Sequence, residues 1–261
     1  MTIKLILNYL NYRFTAYNEH DVHSPFVYDF YMELIKNKNP FKDFEELNLM
    51  RTQLLIDATE LNVTDFGAGS KKLNSTARKI KDITKNGIAQ KKQAEFLYRL
   101  VNKFKPKTII ELGTSVGLTT LYLAKSIKKN TVYTIEGCPE IYKFANQIIL
   151  KNKAKNIITI NGNFNNEFPK LLKEIENLDL LYVDGNHSYE ATMMYFKLAL
   201  TNKNTQSIFV FDDINWSNDM QKAWKEICLN KEVILSLDFF HFGIIFFRTE
   251  QKEKEHFVLK F

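Results

Sequence analysis

The sequence predicts an α/β fold: a mostly parallel sheet with a reversed last strand, preceded by a mainly helical N-terminal extension. Three observations carry this expectation. Residues 107–128, KTIIELGTSVGLTTLYLAKSIK, read as a buried strand (108–112), a tight glycine turn (113–117) and a helix (118–127). From there to Cys228, short apolar runs that end in acids alternate with amphipathic stretches, the pattern of a parallel sheet covered by helices. The chain then closes with two apolar, β-rich runs, 232–237 and 242–248. The four residues between the runs are too few for a crossover helix, so the last strand must return antiparallel.

Taken in order, Ile3, Ile6, Leu7, Leu10 and Phe14 form one helical stripe, thickened by Tyr9, Tyr12 and Tyr17. Ser24 before Pro25 predicts the start of a helix running through Val27, Tyr28, Tyr31, Leu34 and Ile35. His20, Asp21 and His23 precede it. They read as a turn that hydrogen-bonds the backbone in preference to a metal site, and a lid over the substrate is a third reading. A helix over 44–60 follows. The segment 64–70, TDFGAGS, imitates a glycine-rich cofactor loop, but residues 60–64 are too polar for a central strand, so a surface loop is expected. A helix over 89–104 ends before Pro106. Strands are then expected at 131–135, 156–160, 179–183 and 207–211, separated by helices at 139–150, 168–175 and 189–200 and followed by one at 218–228. The expected division is a mainly helical cap over 1–82 and a sheet domain over 83–261.

Composition narrows the function. With 261 residues and 45% hydrophobic content, the chain can bury one large core. Its net charge is +6, but the lysines are scattered, which favours a solvated basic surface over a nucleic-acid interface. Cys138 and Cys228 have no metal-ligand spacing and read as reduced thiols of a cytoplasmic protein. The first residues lack the pattern of a secretion signal, and no apolar run approaches a membrane span, so no membrane partner is expected.

Ligands of an open parallel sheet bind beyond the carboxyl ends of its strands. Five acids are placed there by the expected elements: Glu111, Glu136, Asp184, Asp212 and Asp213. A dinucleotide fingerprint would need glycine at 113, 115 and 118, yet Ser115 and Leu118 occupy two of these positions. What stands instead is E-x-G-x-x-x-G, Glu111 to Gly117. That motif resembles motif I of the class I S-adenosylmethionine-dependent methyltransferases. D-G-x-H-x-Y at Asp184–Tyr189 and the pair Asp212-Asp213 resemble the metal-dependent O-methyltransferases, of the catechol and macrolide-sugar types. The likeness covers about residues 83–248, and its fold would be the Rossmann-like class I methyltransferase sheet.

The resemblance implies specific roles. Glu111, Gly113, Thr114, Ser115, Gly117, Glu136, Gly137, Asn163 and Asp184 would bind S-adenosylmethionine, with Glu136 on the ribose hydroxyls and Asn163 at the adenine amino group. Asp184, Asp212 and Asp213 would hold Mg2+, and His187 would be the general base beside Asp184. Three carboxylates converging on one rim repel one another unless a cation or protons neutralise them. Simpler roles stand beside these: a helix N-cap for Asp213, and a capping or packing side chain for His187. The acceptor would be a small hydroxylated molecule. Methylation of RNA or protein by the same fold, and a nicotinamide-dependent oxidoreductase, are the alternatives. The absence of an N/D-P-P-Y/F turn after Val183 argues against the first, and Ser115 with the reversed hairpin against the second. Relatives commonly dimerise, so a homodimer is also an expectation.

Overall fold

The computed structural model describes residues 3–64, 76–250 and 253–261. The loop expectation for 64–70 therefore lies outside the described residues, except for Thr64. The chain forms two compact units, one of residues 1–38, 177–183 and 187–261, the other of residues 39–176 and 184–186.

In the second unit, α3 (Asp43–Ile56) leads to a short antiparallel pair, β1 (Glu60–Asn62) and β2 (Ala77–Lys79). Next come α4 (Ile80–Asn86), α5 (Lys91–Phe104), β3 (Thr108–Leu112), α6 (Leu118–Lys125), β4 (Thr131–Glu136), α7 (Pro139–Lys151), β5 (Ile157–Asn161) and α8 (Phe164–Glu174). β3, β4 and β5 pair in parallel and in unbroken register. The α5 stripe of Ala94, Leu97, Leu100 and Val101 is fully buried, and Lys105 then ends the helix in a left-handed conformation before Pro106. Phe44, Leu47, Tyr98, Leu118, Leu121 and Tyr122 close the core between α3, α5 and α6.

The other unit opens with α1 (Ile3–Thr15), α2 (Pro25–Tyr31) and a π-helical turn at Met32–Lys36. Its sheet strands are β6 (Leu178–Val183), β7 (Lys203–Asp212), β8 (Leu235–Asp238), β9 (Phe242–Phe246) and β10 (Glu255–Val258), with helices α9 (Tyr189–Ala199) and α10 (Asn218–Leu229). β6 and β7 are parallel; β9 returns antiparallel to β7 and pairs with β8, as the short β8–β9 connection requires. Among the described residues, the strands run in the order β10-β8-β9-β7-β6 in this unit and β3-β4-β5 in the other. This is the mostly parallel sheet with a reversed strand that the sequence predicts.

Several details differ from expectation. β10 adds a further edge strand, parallel to β8, from a four-residue segment too short to read as a strand by pattern alone. α8 starts four residues early because the Asn163 side chain caps it by accepting from the Asn165 N–H. Ser24 takes the N-cap position of α2 but makes no capping hydrogen bond there. The helix expected from the first apolar stripe is present as α1, but most of that stripe is not its buried side. Tyr12 and Ala16 are buried, whereas Ile6, Leu7, Leu10 and Phe14 are exposed.

Candidate active site

The turn after β3 is built by backbone constraints. Gly113 has φ +112, and a Cβ there would collide with the carbonyl oxygen of Asp184, whose own N–H donates to Leu112 O at 2.9 Å. Gly117 has φ +79 and begins α6, so its requirement is conformational. At Gly113, then, the absence of a side chain lets the backbone of Asp184 approach closely. Ser115 adopts φ 49 between them, and its N–H donates to Glu136 Oε2 at 2.9 Å. The Cys138 N–H donates to Glu136 Oε1, also at 2.9 Å. One carboxylate at the end of β4 thus ties the turn after β3 to the turn carrying Gly137.

Beneath this turn lies a second layer. Glu111 is fully buried, and the hydroxyls of Thr120 and Thr134 both donate to its Oε2. The Thr134 proton is used on Glu111, so the Thr114 hydroxyl must donate in turn to Thr134 Oγ1, 2.6 Å away. Burial pushes the Glu111 carboxyl up to about 7, partly opposed by these two hydroxyls. Glu111 and Thr114 therefore support the turn from below. Asn163, at the start of α8, caps that helix with the oxygen expected to meet an adenine amino group.

The other unit carries titratable side chains at the carboxyl ends of β6 and β7. Tyr182 O–H donates to Asp212 Oδ2 at 3.0 Å, and the Asp213 N–H donates to Asp212 Oδ1 at 2.9 Å. His187 Nε2 stands 3.9 Å from Asp213 Oδ2. Burial lowers the pKa of His187 and keeps it neutral near pH 7, while the Asp212 charge pulls the other way. Neither expected cap forms. Ser188 caps α9 by accepting from the Ala191 N–H, and Ser217 caps α10 by accepting from the Met220 N–H. That leaves Asp213 outside the helix, in a left-handed conformation with φ 54.

Sequence reasoning missed two members of this group. Tyr182 is legible in the sequence only as the one hydroxyl of β6, among Leu180, Leu181 and Val183. His241, at the β8–β9 turn, lies within the influence of Asp212 and has its pKa lowered by burial. Asn215 fixes that turn, donating from Nδ2 to Phe240 O at 2.8 Å. Among the described residues, no group of three or more His, Cys, Asp or Glu side chains is placed to hold a metal ion. This applies to Asp184, Asp212 and Asp213, and to His20, Asp21 and His23. The last three lie at a turn in which the Asn18 N–H donates to Asp21 Oδ2 and the His20 N–H to Asn18 Oδ1.

Residues 110–214 match the model of a methyltransferase domain, a span from within β3 to just past Asp213. The match covers less than half of the chain. The chain's resemblance is to the class I S-adenosylmethionine-dependent enzymes. The fold of the chain is similar to that of an O-methyltransferase from Bacillus cereus in complex with S-adenosylhomocysteine, at 16% identity and a TM-score of 0.56, covering 84% of this chain and 96% of that one. TomG of Streptomyces achromogenes, an O-methyltransferase involved in tomaymycin synthesis and solved with S-adenosylmethionine, matches at 13% identity and a TM-score of 0.57, over 85% and 96%. The Podospora anserina methyltransferase PaMTH1, bound to S-adenosylhomocysteine, matches at 15% and 0.55, over 81% and 99%. No curated protein sequence matches the chain.

Proposed function

We propose that the protein transfers a methyl group from S-adenosylmethionine to a hydroxyl of a small molecule. The observation that carries this reading is the Glu136 carboxylate, fixed by the Ser115 and Cys138 N–H groups within a methyltransferase domain. In that position it can accept the two ribose hydroxyls, while the Gly113–Gly117 turn and Gly137 bound the space beside it. S-adenosylmethionine, when bound, supplies a positively charged sulfonium whose methyl carbon is open to a nucleophile. His187 is the general base: held neutral by burial, it accepts the proton of the acceptor hydroxyl. Asp213 Oδ2, 3.9 Å from Nε2, stabilises the imidazolium that forms.

Assistance by Mg2+ is a finer version of the reading, with Asp184, Asp212 and Asp213 as its ligands. As placed, these carboxylates do not make a metal site, and both Asp212 oxygens already accept protein hydrogen bonds. Proton transfer to His187 needs no metal step. Calorimetric titration with S-adenosylhomocysteine, with and without Mg2+, tests both versions. Binding that weakens about tenfold or more in Glu136→Gln supports the cofactor site. An affinity for Mg2+ that disappears in Asp184→Ala would restore the metal. No binding of S-adenosylhomocysteine under either condition would overturn the proposal.

A further inference from the structure

The α1 helix is apolar on two opposite sides. Leu5, Tyr9, Tyr12 and Ala16, spaced four, three and four apart, form the inner side. Tyr9 and Tyr12 pack on Phe240 with ring centroids 5.0 and 5.3 Å away. Tyr12 O–H donates to Leu259 O at 2.7 Å, and just past the helix the Tyr17 N–H donates to Val258 O at 2.8 Å. These contacts fix the helix on β10 and on the β8–β9 turn, so its outer side is presented in one orientation. That side is formed by Ile6, Leu7, Leu10 and Phe14, which are 42%, 60%, 47% and 84% exposed. Solvated helices do not ordinarily keep such a stripe in water.

We propose that this outer face of α1 docks on an anionic lipid surface, with the helix lying in the plane of the membrane interface. The charge pattern favours that occupant. The only charged residues of α1 are Lys4 and Arg13, both basic, and the whole chain carries +6. Apolar side chains that enter the acyl boundary, flanked by cations that meet phosphate headgroups, make an interfacial helix. A second copy of the chain fits less well. Pairing through α1 would bring basic residues together with no acid on either helix. The four side chains also expose only on the order of 400 Å2, about half of what each partner of a stable dimer buries. The helix has 13 residues, and no helix among the described residues is long and apolar enough to cross a membrane, so the contact is peripheral.

Flotation of the full-length protein with vesicles tests this. It should float with vesicles of phosphatidylcholine and phosphatidylglycerol in equal parts, and much less with phosphatidylcholine alone. Leu10→Asn combined with Phe14→Asn should weaken the association about tenfold or more, with an unchanged melting temperature showing that the fold is intact. Arg13→Glu should weaken it as well and reduce its sensitivity to salt. The proposal is overturned if the wild type stays in solution with both vesicle types, or if the double variant floats like the wild type. It is equally overturned if sedimentation shows a dimer that the double substitution splits, which would assign the face to a second copy.

Discussion

The turn after β3 and the turn after β7 both leave a strand at its carboxyl end, and both contain left-handed residues. They solve the problem differently. The first uses Gly113 and Gly117, hides Glu111 and Thr114 beneath itself, and is tied from the side by a single carboxylate, Glu136. The second has no glycine: it puts Asp213 into the left-handed region, as the first does Ser115, and gathers Tyr182, Asp212 and His187 near it. One turn is specified mainly by backbone, the other mainly by side chains. Non-glycine residues in that region cost about 1–3 kcal/mol and cluster at functional sites, which applies to Ser115 in the first turn as much as to Asp213 in the second.

The comparison is broken most severely at Gly113. Gly113→Ala must both leave φ +112 and push away the Asp184 carbonyl, so a loss of about 3 kcal/mol or more is expected. Chemical denaturation should show it, together with loss of S-adenosylhomocysteine binding. A variant as stable as wild type would mean that the turn is not fixed by this approach.

On the chemical side, His187→Gln should lower kcat by about 10²–10⁴ while the affinity for S-adenosylhomocysteine stays within about twofold. Because burial lowers the His187 pKa, the acidic limb of the wild-type profile should fall below the ordinary imidazole range. An acidic limb above that range, or a kcat that His187→Gln leaves intact, would remove the residue from the role of base.

Glu111 gives a pH test of the turn after β3. Below pH 4.5 the carboxyl is protonated in folded and unfolded chains alike and contributes no pH dependence. Between 4.5 and about 7 the unfolded chain releases the proton while the folded chain keeps it, so stability falls as pH rises, by on the order of 3 kcal/mol in all. Above about 7 the penalty is complete. Glu111→Gln should flatten that slope in denaturation curves taken across the window. An unchanged slope would mean that Glu111 is ionised in its buried position.

The unequal legibility of the two turns follows from the same difference. Strand β3, the turn glycines and the acid after β4 are readable in the sequence because a buried strand, a reversal and a strand-end acid each impose local composition. Asn163 as a cap and Tyr182 as the partner of Asp212 are not, since each role depends on a neighbour brought in by folding. The α1 stripe misleads for a related reason. Both sides of that helix have apolar spacing, and periodicity cannot rank Tyr12 and Ala16 above Leu7 and Phe14. The reversed hairpin follows from the short chain between β8 and β9, whereas β10 is too brief to leave a pattern.

The smallest test separates positioning from chemistry beside His187. Ser188 follows it directly and caps α9 through the Ala191 N–H, 3.3 Å away. Ser188→Ala should cost about 1 kcal/mol and lower Tm by about 2–4 °C, because one N-terminal N–H loses its acceptor. If the His187 imidazole is held mainly by its burial and by Asp213, kcat should fall by no more than about threefold. A drop approaching that of His187→Gln, with stability nearly unchanged, would mean that the cap aims the base. The second turn would then depend on a backbone hydrogen bond, as the first does.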